Sequence, residues 1–312
     1  MIRKLEVEAI SAEAAALESL LRGRTEEEDP VGHYQYTHRL NELRQHLDEL
    51  NAAPELTASI ALFFAGDPVV GSRGVRADFA GRAVGIFQDI VAKRFAANEL
   101  GEMAGRGRIP LRASSDLLLT DVARGSFGVV LEESCDNQPL AETQLKVVLD
   151  DVVRSIDVAA QEDSDSFEQL LETIDSRYLR SLGEFFELLD DSAATVRVVE
   201  GELDRQLNSA EIHRARQRTS STRIEERDDH PLVGTLYLLP AHRRFELVLD
   251  GGESIWGPVS SEFATAHLEG LRDANEVVGR RWRVRTRART VTRPNREPKT
   301  TYKLLALIER LD

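Results

Sequence analysis

Cysteine is nearly absent: Cys135 is the single thiol in 312 residues. That excludes an internal disulfide framework and fits a reducing cytosol. Lysine is scarce as well, 5 against 35 arginines, the bias of a GC-rich and so bacterial coding sequence. Long hydrophobic runs are missing. No segment approaches the roughly 18 apolar residues that cross a bilayer. The opening MIRKLEVEAISAEAAALESLL carries charges throughout and lacks the apolar stretch of a signal peptide. A cytoplasmic protein with no membrane partner is therefore expected.

What remains is globular. Hydrophobic residues make up 41% and charged residues 30%, over a length that can bury two separate cores. The net charge of −14 is unevenly spread. Residues 231–312 hold 14 Lys and Arg against 10 Asp and Glu; the preceding 230 hold 26 against 44. An acidic body followed by a basic domain implies two surfaces with different partners.

Periodicity predicts an α+β body over 1–224, a linker at 225–231, and a small basic β-barrel over 232–312. Alternation of Leu5, Val7 and Ala9 predicts a short strand over 2–9, with a helix capped by Ser11 after it. Tyr36, Leu40, Leu43, Leu47 and Leu50 form a helical stripe. ASIALFFAG reads as a strand, Phe79 to Phe95 as a helix, and residues around Arg124, Gly125 and Ser126 as a hairpin. Two acidic helices are predicted over 140–161 and 166–190, then the strand ATVRVVEG and the helix SAEIHRARQRTSST. RIEERDDHP, charged and closed by Pro231, marks the boundary. Three strands, one helix and two strands follow, the order of the five-stranded OB barrel, with an SH3-like barrel as competitor.

Catalytic patterns do not assemble. Gly66 and Gly71 have Walker A spacing, but Ser72 and Arg73 replace its lysine and hydroxyl, and Pro68 removes an amide donor. The corner is expected to be a strand-to-helix turn; its alternative use is an anion or ligand contact through Ser72 and Arg73, in a ligand-sensing or hydrolytic body. Cys135 lies among Glu132, Glu133 and Asp136, whose charge suppresses a thiolate. His38, Glu42 and His46 share a helix face but span too many turns for one ion. Neither metal nor cofactor is expected, and the chain is expected to be non-enzymatic.

The sharpest pattern is RRWRVRTRART. Arg281, Arg283, Arg285, Arg287 and Arg289 alternate with Trp282, Val284, Thr286 and Ala288, so a strand sends the guanidiniums to one side. Flanking loops add Arg243, Arg244, Arg293, Arg296 and Lys299, and Trp256 or Tyr302 offers a stacking platform. Single- or double-stranded nucleic acid is the first expected partner, gripped by Arg243, Arg244, Trp256, Arg283, Arg285, Arg287, Arg289, Arg293, Arg296 and Lys299 while the acidic body recruits a protein. The second expectation is a regulatory subunit of a multi-protein bacterial system, such as anti-phage defence, whose barrel docks on protein.

Overall fold

The computed structural model describes residues 2–52, 54–71, 73–101, 107–123, 127–135, 139–267, 277–294 and 296–311, and resolves two compact units, Met1–Thr219 and Ser220–Asp312. Among the described residues, no helix is long and apolar enough to cross a membrane.

The first unit opens with two helices, α1 (Arg3–Gly23) and α2 (Pro30–Ala52). They pack through Ile10, Ala14, Leu40 and Leu43, with Leu17, Leu21, Leu47 and Leu50 around them. Ion pairs Arg39–Glu13 (3.0 Å) and Arg44–Glu18 (2.8 Å) tie the outer surfaces. The strand expected over 2–9 does not form, and Ser11 lies inside α1 instead of capping it. Ile10, Ala14, Leu17 and Leu21 recur at helical spacing, and only Ile2 and Leu5 of the first turns must reach the sheet. Period-two alternation is weak when the other members, such as exposed Ala9, bury nothing.

The rest of this unit is a five-stranded antiparallel sheet with helices and a separate two-stranded hairpin, Val69–Val70 with Gly74–Val75, which stands where a plain strand-to-helix corner was expected. In chain order it contains β1 (Ser59–Gly66), β2 (Val69–Val70), β3 (Gly74–Val75), α3 (Ala77–Leu100), β4 (Leu117–Ala123) and β5 (Phe127–Glu133). There follow α4 (Gln144–Ala160), α5 (Ser164–Thr173), α6 (Ser176–Asp191), β6 (Ala194–Glu200), β7 (Leu203–Leu207) and α7 (Ser209–Ser221). Strand order is β4-β5-β1-β6-β7. Ala61, Val130 and Val199 bury one face against Ile2 of the α1 entry. Ile60, Leu62 and Phe64 alternate to the other face, where the Phe64 ring meets Phe79 of α3 edge-on at 5.3 Å. The acidic stretch forms three helices where two were predicted. Asp175 ends the second by accepting the Tyr178 amide, a side-chain cap that starts α6.

The second unit is one curled antiparallel sheet: β8 (Arg223–Leu239), β9 (Arg244–Leu249), β10 (Ser254–Pro258), a short helix α8 (Ser261–His267), β11 (Arg280–Arg293) and β12 (Arg296–Arg310). The order is β10-β9-β8-β11-β12. Its inner face carries Leu236, Leu238, Phe245, Leu247, Ile255, Val284 and Leu304, sealed by Phe263 and Ala264 of α8. Curling brings the end of β10 to β12 through a parallel bridge, Val259–Leu304, to make a half-barrel. Residues 225–231, expected as a linker, lie within β8: Glu225 pairs with Thr290, Glu226 with Arg289 and Pro231 with Arg285. Charge and proline mimic a linker, but the carbonyl of His230 accepts from the buried Thr286 hydroxyl at 2.7 Å and holds the strand in register.

Candidate functional site

The arginine row occupies β11 as its alternation predicts, with Val284, Thr286 and Ala288 turned inward and buried. Four of its five members face carboxylates: Arg281 with Asp250 (2.5 Å), Arg283 with Glu309 (2.6 Å), Arg287 with Asp228 (2.5 Å) and Arg289 with Glu226 (3.5 Å). Arg287 and Arg289 keep only 19% and 14% of their side chains exposed. Arg285 is exposed and has no ion pair among the described residues. The acids of 225–229 also change the balance of this unit to 16 Lys and Arg against 14 Asp and Glu over 220–312.

The two basic ends of the sheet do not converge. Arg293 pairs with Arg296 across a tight hairpin beside Arg223, where β8 begins, while Arg244 pairs with Leu239, where β8 ends. Seventeen residues of strand separate them, roughly 50 Å along the chain. Arg296 and Lys299 belong to β12 itself, not to a loop. Glu297 and Lys299 accordingly sit in an exposed strand end.

At the opposite end the outer face of β8, β9 and β10 gathers a different set of side chains. Tyr237 pairs across strands with Glu246, and Glu246 with Trp256. Leu239 pairs with Arg244, and Arg244 with Pro258. Direct cross-strand partners project from the same face, so these side chains form two adjacent rows. Trp256 is 65% exposed, Leu239 51% and Tyr237 42%. The Arg244 guanidinium lies 4.7 Å from the centre of the Trp256 ring, a cation–π contact that holds the cation over the indole. Arg243 begins this face in the left-handed region, at φ 47°, after a one-turn helix over Pro240–His242. Of the sequence-predicted residues, Arg243, Arg244 and Trp256 come together here. Tyr237, Leu239 and Glu246 were missed, although the alternation in LVGTLYLLP that buries Leu236 and Leu238 already turns Tyr237 and Leu239 outward.

The glycine corner is built by backbone bonding. Ser72 lies outside the described residues. The amide of Arg73 donates to Val70 at 3.0 Å, that of Arg76 to Pro68 at 2.9 Å, and that of Asp67 to Ala193 at 3.4 Å. Those donors are therefore occupied, while the Arg73 side chain is exposed. Gly66 has φ 97°, and a Cβ there would stand 2.2 Å from the Ala193 carbonyl oxygen. Gly66→Ala is expected to cost about 2 kcal/mol, from left-handed strain and overpacking together. Chemical denaturation followed by helical circular dichroism measures it, and Gly71→Ala, in open space, should cost less.

Two cations of the first unit are withdrawn from water, Lys93 half-buried and Lys146 buried. Lys93 of α3 donates to Ser181 of α6, and burial lowers its ammonium below the usual lysine range against the pull of Asp89 and Glu184. Ser181 has no exposed surface, and the pair joins α3 to α6. Lys146 of α4 donates to Asp150 (2.6 Å) and to Glu200 of β6. On α2, His38 and Glu42 lie 3.4 Å apart, whereas His46 turns to Glu6 of α1. Cys135 is exposed two residues past β5. No family description, curated protein or solved structure matches this chain.

Proposed function

We propose that residues 220–312 form an OB-like module that binds single-stranded nucleic acid on the outer face of β8, β9 and β10. The observation that carries this is Trp256, two-thirds exposed, with Arg244 over its ring and Tyr237 on the same face. A soluble face has little reason to expose a tryptophan and a tyrosine beside a guanidinium unless they stack on something planar and anionic. Support for the OB assignment comes from the strand order, the parallel closure between the third and fifth strands, and the helix that precedes the fourth. In OB modules the face of the second and third strands carries the oligonucleotide, and here those strands are β9 and β10.

Salt dependence separates this site from the whole set of basic residues. For single strands, log affinity falls with log salt at a slope of about −0.7 per phosphate neutralised. Arg243 and Arg244 would give a slope of about −1.4, whereas nine engaged cations would give about −6. We expect the shallow slope, because the β11 row is largely committed to carboxylates. Trp256→Ala should weaken binding of a fluorescent single strand about tenfold, as the loss of one stacking platform. Unchanged binding in that variant would refute the proposal.

A second reading, docking on protein, has one specific observation in its favour. The outer strand β4 of the first sheet exposes Leu118 (51%), Leu119 (53%) and Val122 (43%). An apolar strand at a sheet margin, paired on one side alone, is a site for strand addition.

A further inference from the structure

Glu246 sits between the two aromatic side chains, and nothing in its surroundings explains it. It is half-buried in the middle of β9, with Tyr237 across one strand and Trp256 across the other. Among the described residues its carboxylate takes part in no ion pair or hydrogen bond. Arg244, two residues earlier on the same face, leans over Trp256 instead. A bare carboxylate is the wrong group for a phosphate, which it repels. It is the right group for the edge of a base held in place by stacking.

We infer that Glu246 selects guanine among the bases bound at this face. The inference rests on the single-strand reading above. Strands lie about 4.8 Å apart, so Tyr237 and Trp256 flank Glu246 at about 10 Å from each other. A base stacked on either ring turns its Watson–Crick edge along the sheet, within reach of the carboxylate between them. Ionised, that carboxylate only accepts, at two oxygens side by side. Guanine presents two adjacent donors, N1–H and the 2-amino group, which match both oxygens. Cytosine and adenine present one amino donor beside a ring-nitrogen acceptor. Thymine and uracil set a single N3–H between two carbonyls, both of which face the carboxylate with like charge. The expected order is guanine, then cytosine and adenine, then thymine or uracil.

The test uses the full chain and a fluorescent oligothymidine of about 12 nucleotides, a length typical of an OB site. The central position carries thymine, guanine or hypoxanthine, which keeps N1–H but lacks the 2-amino group. Guanine should bind about tenfold more tightly than thymine, as a bidentate contact does, with hypoxanthine between them. Glu246→Gln, which no longer presents two acceptors side by side, should level the three affinities by weakening guanine most and by strengthening the all-thymine strand, whose carbonyls then lose the opposing charge. A melting curve verifies that the variant folds; if it does not, Glu246→Asp, which withdraws the carboxylate by one methylene, should narrow the preference. Equal affinities for the three strands, with binding still dependent on Trp256, would overturn the role of Glu246 and leave the single-strand reading standing. Absence of binding to any strand would overturn both.

Discussion

Gly257→Ala is expected to disrupt the C-terminal unit and leave the N-terminal unit folded. A Cβ on Gly257 would stand 1.8 Å from the carbonyl oxygen of Tyr302 and 3.0 Å from its carbonyl carbon, with a Phe245 ring carbon at 3.3 Å. These are backbone atoms of β12, at the place where β10 meets it. Two residues on, Val259 makes the parallel bridge to Leu304, and the Ser260 amide donates to the Leu304 carbonyl at 2.8 Å. The contact can be relieved only by moving one strand off the other, and that opens the half-barrel along its seam. Overpacking inside a flexible core costs about 1–3 kcal/mol. Here a backbone joint must separate, so the loss should exceed about 3 kcal/mol.

Both tryptophans of the chain, Trp256 and Trp282, belong to this unit, so intrinsic fluorescence in urea follows it alone. Trp282 packs against the inner core and donates its indole N–H to the Val277 carbonyl at 3.0 Å, which makes it the sensitive reporter. Gly251→Ala provides the control: open space surrounds it and its φ lies outside the left-handed region, so its midpoint should stay near that of the parent. A Gly257→Ala midpoint equal to that of Gly251→Ala would mean that β10 and β12 are not in contact in solution.

The same unit marks how far the sequence could be followed. The arginine alternation identified β11, its outward face and its buried counterparts, because period two is a property of a strand by itself. The partners of those arginines are a property of register. Glu226 and Asp228 lie roughly 60 residues earlier in the chain, within a stretch whose charge and proline are also the marks of a linker. Only the pairing of β8 with β11 makes them neighbours. Strand order limited the possibilities but did not place the two basic ends, which antiparallel pairing sends to opposite ends of β8. Trp256 was legible as an exposed aromatic candidate. Glu246 was not legible as a site residue, since its position between two rings exists only once three strands are aligned. In the first unit, the start of α1 over residues 2–9 was expected as a strand, while its initial turns in fact bury Ile2 and Leu5 against a sheet whose strands come much later.

Lys146→Met should produce the largest loss in the N-terminal unit, and one that grows with pH. Lys146 retains 7% of its surface and Glu200 5%, so both charges are out of water. Burial pulls the ammonium down, but the hydrogen bonds it donates to Asp150 and Glu200 outweigh it and lift Lys146 above the usual range. Burial acts in the same sense on the carboxyl as the nearby Asp150 and pushes Glu200 up to about 7, with Lys146 restraining the rise. Removing the lysine therefore leaves a buried carboxylate beside a second acid, a change that costs about 3–5 kcal/mol in comparable pairs. Methionine keeps the volume, so the loss measures charge and not a cavity.

The sign follows from the protons each state holds. Unfolded, Glu200 releases its proton near 4.5; folded, it keeps it to about 7. Its contribution is thus most favourable below pH 4.5 and is lost as pH rises towards 7. Lys146→Met raises the folded value further, so its deficit should be small at pH 5 and continue to grow through pH 8. Glu200→Gln removes the titrating group, leaves Lys146 with Asp150, and should flatten the decline between pH 4.5 and 7. Helical circular dichroism during denaturation across this range reads all three proteins. A Lys146→Met deficit that stayed constant from pH 5 to pH 8 would show that Glu200 is not the group left uncompensated.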